Sequence, residues 1–471
     1  VNRNVLATAV AATLALSAPQ AFAEAKGTAS KAEVQAIEAQ MKALAERLSR
    51  LEAANNTLQN QNAELKATVD RRDAEIDYLK AQTKDLREAG AIADTEISKV
   101  KGADWATRIK FKGDLRVRDE NIVQERVANG AVEDAADRNR ARLRARFGFD
   151  AKVTDHSKVV VQLSTGGDDP RSTNQTIGGS TTRKAITFDH AYADWNFAEG
   201  SDLMLGKFKY PFWRPGQSML FDGDISPEGV AVTFDRGMFF GSGYGWWLEE
   251  RFNSNPDGKN ADTYMLGGQL GLKFPLLGGE TRLAASYYDL SGGKGSNPFY
   301  ALNANGNTTV AESTATDALQ VLKYDYNVAM LGGEVGLTVA GLPLSIWGDY
   351  AINTASGVED DTAYGVGVTL GKASSARTWE AGVFYESVGK DALFAQLIDS
   401  DFGDGVADAD GWVLKGGYAP VKNIVLNATY FINTRHVCGN GNSPNNRECG
   451  TGIADYDLNY NRLQLDVNYK F

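Results

Sequence analysis

Alternation with a period of two constrains this chain more than any other feature. In RNRARLRARFGFD, residues 138–150, arginine fills every second position from Arg138 to Arg146, and Ala141, Leu143, Ala145 and Phe147 lie between. On an extended strand this sets the guanidinium groups on one face and the apolar side chains on the other. A soluble sandwich would bury the apolar face and leave the arginines in bulk water. A membrane barrel turns the apolar face to lipid and the arginines into a wet interior. Taken alone, the stretch also suits a solvated face or a nucleic-acid-binding strand. The charge balance, 49 basic to 60 acidic residues with a formal net of −11, argues against a general affinity for nucleic acid.

After Trp105 the same period recurs to the end of the chain. Ile109, Phe111, Leu115 and Val117 alternate with Lys110, Lys112, Asp114, Arg116 and Arg118, and Leu344, Ile346 and Tyr350 with Ser345, Trp347 and Asp349. Sixteen segments carry the pattern, near 107–119, 138–151, 157–165, 186–197, 202–208, 229–235, 240–252, 263–274, 281–290, 326–339, 343–353, 362–371, 378–388, 411–419, 424–433 and 461–471. Their connections alternate in length. Short ones fall at Thr154 to His156, Pro275 to Gly279, Ala340 to Leu342 and Pro420 to Asn423, and long polar ones at 120–137, 166–185, 291–325, 389–410 and 434–460. Short turns at one rim and long loops at the other are the signature of a barrel in the outer membrane. The last segment sets Leu463, Leu465, Val467, Tyr469 and Phe471 on one face, and its final aromatic suits an interfacial girdle. No stretch is apolar over the roughly 18 residues that a spanning helix needs. The fold class is therefore an all-β transmembrane barrel of about sixteen antiparallel strands over 107–471.

Two different segments precede it. Residues 1–23 combine Arg3, an apolar run from Val5 to Ala18 and Ala21-Phe22-Ala23, the pattern of an export signal cleaved after Ala23. From Val34 to Leu86 apolar residues repeat every seven, and the span 24–90 is expected to be an α-helical coiled coil in the periplasm, joined to the barrel by a linker over 91–106. Leu44, Leu48, Leu51, Leu58 and Leu65 form the seam, with Asn55 and Asn62 at seam positions where they either fix register and orientation or leave the seam locally weak. A helix of that length, roughly 80 Å, cannot bury its own seam, so the chain is expected to associate with copies of itself.

Catalytic and metal chemistry are poorly represented. The two cysteines, Cys438 and Cys449, flank a glycine- and asparagine-rich stretch and are expected to close a disulfide loop in an exported chain. His190 beside Asp189 and Tyr192 has no serine partner in a recognisable motif and reads as a polar interior residue. The acidic stretch 399–411 lacks the bidentate glutamate of a calcium loop and reads as solvated loop. We expect no enzyme, no cofactor and no metal site.

The strings RNRARLRARFGFDAKVTD, STGGDDPRSTNQT, ITFDHAYADWNF and LMLGKFKYPFW followed by ISPEG resemble Gram-negative outer-membrane porins, and more closely the putative-porin family with an N-terminal coiled coil. The resemblance implies a sixteen-stranded homotrimeric barrel in outer-membrane lipid that passes small hydrophilic solutes by diffusion. It also implies that the loop after the fifth strand folds inward and faces a basic ladder. Here the loop carboxylates are Asp222, Asp224 and Glu228, and the ladder is Arg140, Arg142, Arg144 and Arg146 with Arg116 and Arg118 beside it. The loop departs from the general pattern by carrying Phe212, Trp213 and Phe221. Such a ladder is expected to favour anions; the alternative is that it pairs with interior acids such as Asp114 and Asp194 to brace the wall. A second functional class also fits: a tether whose coiled coil contacts the cell wall and whose barrel is mainly an anchor.

Overall fold

The computed structural model describes residues 31–99, 104–251, 262–300, 303–311, 320–438 and 454–471. The export signal and the pairing of Cys438 with Cys449 lie outside them. The chain divides into two units, at Ala103 and Asp104.

The first unit contains one α-helix, α1, Lys31–Lys99. The helix runs on through Gly90 into the segment read above as linker, because nothing from Ala91 to Lys99 breaks it: there is neither proline nor glycine. Leu44, Leu48, Leu51, Leu58 and Leu65 are all exposed along its surface. No helix of the described residues is long and apolar enough to cross a membrane.

In the second unit the alternating segments become strands. They are β1 Ile109–Ala128, β2 Arg138–Thr154, β3 Ser157–Thr165, β4 Ile186–Ala198, β5 Ser201–Lys207, β6 Glu228–Arg236, β7 Phe239–Glu249 and β8 Thr263–Leu276. There follow β9 Gly279–Ser291, β10 Asn327–Val339, β11 Leu342–Asn353, β12 Thr362–Gly371, β13 Thr378–Val388, β14 Ala409–Val421, β15 Ile424–Cys438 and β16 Asp455–Lys470. Each pairs antiparallel with the next, and β1 pairs with β16 from Asp114 opposite Lys470 to Gln124 opposite Tyr460, which closes the barrel. Closure leaves no sheet edge with unpaired backbone groups, the condition for a strand structure in lipid.

Turns of two residues join β2 to β3, β4 to β5, β6 to β7, β8 to β9, β10 to β11 and β14 to β15 at one rim, and 208–227, 292–326 and 389–408 are among the long loops at the other. Leu277-Gly278 and Ala340-Gly341 hold left-handed φ at both turn positions, the form that matches the twist of a hairpin. Around the outside, Val117, Leu205, Leu270, Leu283, Leu331, Ile346, Val366, Leu414, Leu426 and Leu465 stand exposed. Aromatic side chains gather near the short-turn rim, among them Phe111, Trp195, Phe197, Phe239, Trp379, Tyr418 and Tyr469. An apolar band with an aromatic border is the surface a barrel presents to a bilayer.

Three differences from the sequence expectations concern the long-loop side. Residues 120–128, 434–438 and 455–460, read as loop, extend β1, β15 and β16. They are laddered to one another, with Gln124 opposite Tyr460 and His436 opposite Asp457. There Ile122, Leu458 and Tyr460 are buried on the inner parity, so the polar-in, apolar-out alternation breaks down although the ladder continues. The acidic stretch 399–411, read as solvated, folds into the interior, where Ile398, Phe402, Ala407 and Ala409 are buried. The loops 208–227 and 389–408 and the described residues 303–311 and 320–326 pack together inside the barrel through Leu220, Phe221, Ala304, Leu322, Tyr326, Leu393, Phe394 and Leu397, against Trp246, Met265, Tyr288, Trp347 and Phe384 of the wall. These loops fill that side of the interior, and their packing also covers Asp349, Glu386 and Asp391. The opposite wall is formed by β16, β1 and β2.

Candidate functional site

On β1, β2 and β16 the register decides which side chains meet. Asp114 lies opposite Arg146, Arg116 opposite Arg144, Arg118 opposite Arg142 and Glu120 opposite Arg140. Because Val117, Phe147 and Leu465 of the same strands are exposed on the outside, these charged positions share the inner face. Arg462, Gln464 and Asp466 of β16 join them, Arg116 being opposite Asn468 and Arg118 opposite Asp466.

The contacts divide the wall into two parts. In one, Glu120 is fully buried and accepts Arg462 Nη2 at 2.6 Å and Arg140 Nε, with Arg118 Nη1 at 3.4 Å and Arg142 Nη1 at 3.6 Å. Arg118 also reaches Asp466 at 2.7 Å. In the other, Asp114 is shared between Arg144 at 2.9 Å and Arg146 at 2.7 Å. Arg116 makes no ion pair among the described residues and donates instead to Asn174 Oδ1 at 2.6 Å. Arg142 adds donations to Ser172 Oγ and Asn174 O, each 3.3 Å. Of the four guanidinium groups around this buried carboxylate, Arg462 and Arg140 are held by short charge-assisted bonds and Arg118 and Arg142 by longer ion pairs, yet positive charge remains in excess across the wall.

The three carboxylates expected in the loop after the fifth strand are placed differently from one another. Asp224 approaches the ladder, 3.8 Å from Arg146 Nη1, and is held by Thr173 Oγ1 at 3.2 Å. Asp222 turns away and accepts the backbone N–H of Ser400 at 2.9 Å and of Asp224 at 2.7 Å. Burial, and then Asp399 and Asp224, push its carboxyl well above the usual range. Glu228 opens β6 on the outer face with Val232, where it pairs with Lys207 at 3.0 Å. Parity along the strand puts it there, since Ala231 of the opposite parity is buried. Asp194 pairs with Lys158 at 3.0 Å rather than with an arginine.

The aromatic residues of the same loop pack it against the wall. Phe212 lies 5.7 Å from Tyr244 and Trp213 lies 5.9 Å from Phe240, ring centre to ring centre, while the backbone of Trp213 exchanges two 2.8 Å hydrogen bonds with Gln269 of β8. Farther along, the Met219 N–H donates to Glu386 of β13 at 3.0 Å.

One acid that sequence reasoning missed is Asp401, in the loop 389–408. Its carboxylate bridges Arg118 Nη1 at 2.9 Å and Arg462 Nη2 at 2.8 Å. Burial pushes this carboxyl up, but Arg462 and Arg118 outweigh that and hold it well below its ordinary range. Glu120 and Arg462 were also missed, and for them a signal exists. Asp114, Arg116, Arg118 and Glu120 continue one alternation, as do Arg462, Gln464 and Asp466. No local pattern marks Asp401.

A family model described as putative porin matches residues 124–330 and 345–471. The chain belongs to that family. The porin is an outer-membrane channel, in keeping with its closed barrel and apolar belt. No curated protein sequence matches it. Solved structures similar to this porin include OprB of Pseudomonas putida at high pH, 12% identical over 80% of this chain and 96% of that one with a TM-score of 0.49. OmpT of Vibrio cholerae in its trimer form is 13% identical over 77% of this chain and 99% of that one, TM-score 0.44. The outer membrane channel DcaP of Acinetobacter baumannii is 14% identical over 77% and 97%, TM-score 0.42.

Proposed function

We propose that this porin is a homotrimeric diffusion channel for small hydrophilic solutes, biased toward anions by the inner wall of β1, β2 and β16. One observation carries the reading. The register brings Arg116, Arg142, Arg144 and Arg146 together on one interior face, and the carboxylates within 4 Å of them are Asp114, Glu120 and Asp224. An interior wall with excess positive charge concentrates anions beside it. The packing of the three inward loops against the wall of β7 to β13 supports confinement of the passage to the side of β16, β1 and β2. The exposed leucine seam of α1 supports self-association through a parallel periplasmic coiled coil, with the cell wall as a further contact.

The test is the reversal potential of the purified porin in a planar bilayer under a salt gradient. Replacing Arg142 and Arg144 together with alanine is expected to move it toward cations while the barrel stays heat-modifiable. An unchanged potential with intact conductance means that the arginines brace the wall and do not select ions. A wild-type protein with no conductance at all supports the tether instead.

A further inference from the structure

We propose that the loop 389–408 sets the charge of the passage and that Asp401 is its selectivity-determining residue, an inference that rests on the charged wall being the permeation surface. The loop after the fifth strand brings one carboxylate, Asp224, to the ladder at 3.8 Å. Asp401 stands closer and bridges two guanidinium groups, Arg118 at 2.9 Å and Arg462 at 2.8 Å. Those two side chains are 6% and 1% exposed, against 12% for Arg142 and Arg144 and 26% for Arg146. Asp401 therefore neutralises the covered part of the wall and leaves Arg116, Arg142, Arg144 and Arg146 as the part a passing anion meets. Its charge lies inside the barrel, where water screens it poorly, so it offsets their field more than an acid on an outer loop does.

The loop does not depend on Asp401 for its position. The Gly403 N–H donates to Asn433 Oδ1 at 3.1 Å, Arg171 Nη1 to the carbonyl of Gly405 at 2.7 Å, and the Asp222 N–H to the carbonyl of Leu397 at 2.8 Å. Asn307 of the neighbouring loop donates to the carbonyls of Lys390 and Leu393 at 2.7 and 2.9 Å and accepts the Ala395 N–H. Removing one carboxylate changes the charge and leaves the loop seated.

The experiment compares Asp401→Asn with Asp222→Asn by reversal potential in a potassium chloride gradient, with heat-modifiability as the check on folding. Asp222 belongs to the same packed loops but accepts backbone N–H groups and makes no ion pair among the described residues. Asp401→Asn is expected to raise the anion-to-cation permeability ratio about twofold, and Asp222→Asn to leave it at the wild-type value. The double replacement Arg118→Gln with Asp401→Asn, which removes a charge pair, is expected to return the ratio to wild type. It also serves as the reporter if Asp401→Asn does not fold, since a ratio that departs from wild type contradicts the proposal. An unmoved ratio in Asp401→Asn, alongside a shift in the Arg142 and Arg144 double replacement, overturns the role of Asp401 and leaves the anion bias standing. If neither moves, the underlying reading of the wall fails with it. Equal shifts in Asp401→Asn and Asp222→Asn assign the effect to loop displacement and overturn the proposal.

Discussion

Asp408 shows how the interior loops bring titration into the barrel. It sits half-buried at the end of the loop 389–408, its carbonyl accepting the His436 N–H at 2.8 Å. Burial outweighs the opposing pull of His436 and Lys390, and with Asp360 and Asp391 nearby the carboxyl is pushed up from 3.8 to about 6. A folded-state value above the unfolded one means that the folded protein binds the proton first as pH falls. Stability attributable to this group therefore rises as pH drops from about 6 toward about 4, and at neutral pH the half-buried charge is a cost. Asp408→Asn is expected to raise the heat-modification temperature at neutral pH and to flatten its pH dependence in that window. A variant as pH-sensitive as the wild type assigns the titration to another group.

Among the elements, the loop 208–227 depends on a close approach that only glycine allows. Gly216 has φ +48°, and a Cβ there would lie 2.1 Å from the Trp347 ring of β11. Its N–H donates to Glu334 of β10 at 3.0 Å. Gly216→Ala is expected to unseat this part of the loop while the barrel folds, with a noisier and larger single-channel current as the readout. A quiet wild-type current in a folded variant removes the loop from control of the passage. The helix α1 leaves Leu44, Leu48, Leu51, Leu58 and Leu65 exposed. Deleting residues 31–99 is expected to leave a folded barrel whose oligomer dissociates at a lower temperature on unheated gels, and an oligomer of unchanged heat resistance moves the association to the barrel.

For the whole molecule, net charge and local charge have opposite signs. The chain carries −11, yet the inner wall of β1, β2 and β16 is positive in excess. Charges on the outer surface are screened beyond about 10 Å in 0.1 M salt, so on the proposed reading the interior wall is expected to dominate the field along the passage. At 1 M the screening length falls to about 3 Å. The anion bias is expected to be strong in the dilute buffer and largely lost in the concentrated one. A bias that persists unchanged at 1 M salt points to binding at close contact instead of a field effect.

The barrel was legible because each side of a strand in a membrane faces a different solvent. Lipid outside and water inside force the period of two that Arg140 to Arg146 and Leu143 to Phe147 display, and short turns against long loops gave the direction. The ends of β1, β15 and β16 beyond 120, 433 and 461 were hidden, since Ile122, Leu458 and Tyr460 fall on the inner parity there and break the alternation; their ladders are visible only in the pairing of Gln124 with Tyr460 and of His436 with Asp457. The sequence by itself determined the arginine face and the placing of Asp114 on it, both of which are properties of neighbours along one element. Which loop carboxylate meets the arginines was decided only by the tertiary structure. Asp222, Asp224, Glu228 and Asp401 are alike as loop and strand-end acids in the chain, but Glu228 is turned outward by strand parity, Asp222 is spent on backbone N–H groups, and Asp401 crosses 283 positions to reach Arg118. Contacts of that separation depend on how several loops pack against one another, and no single segment records that arrangement.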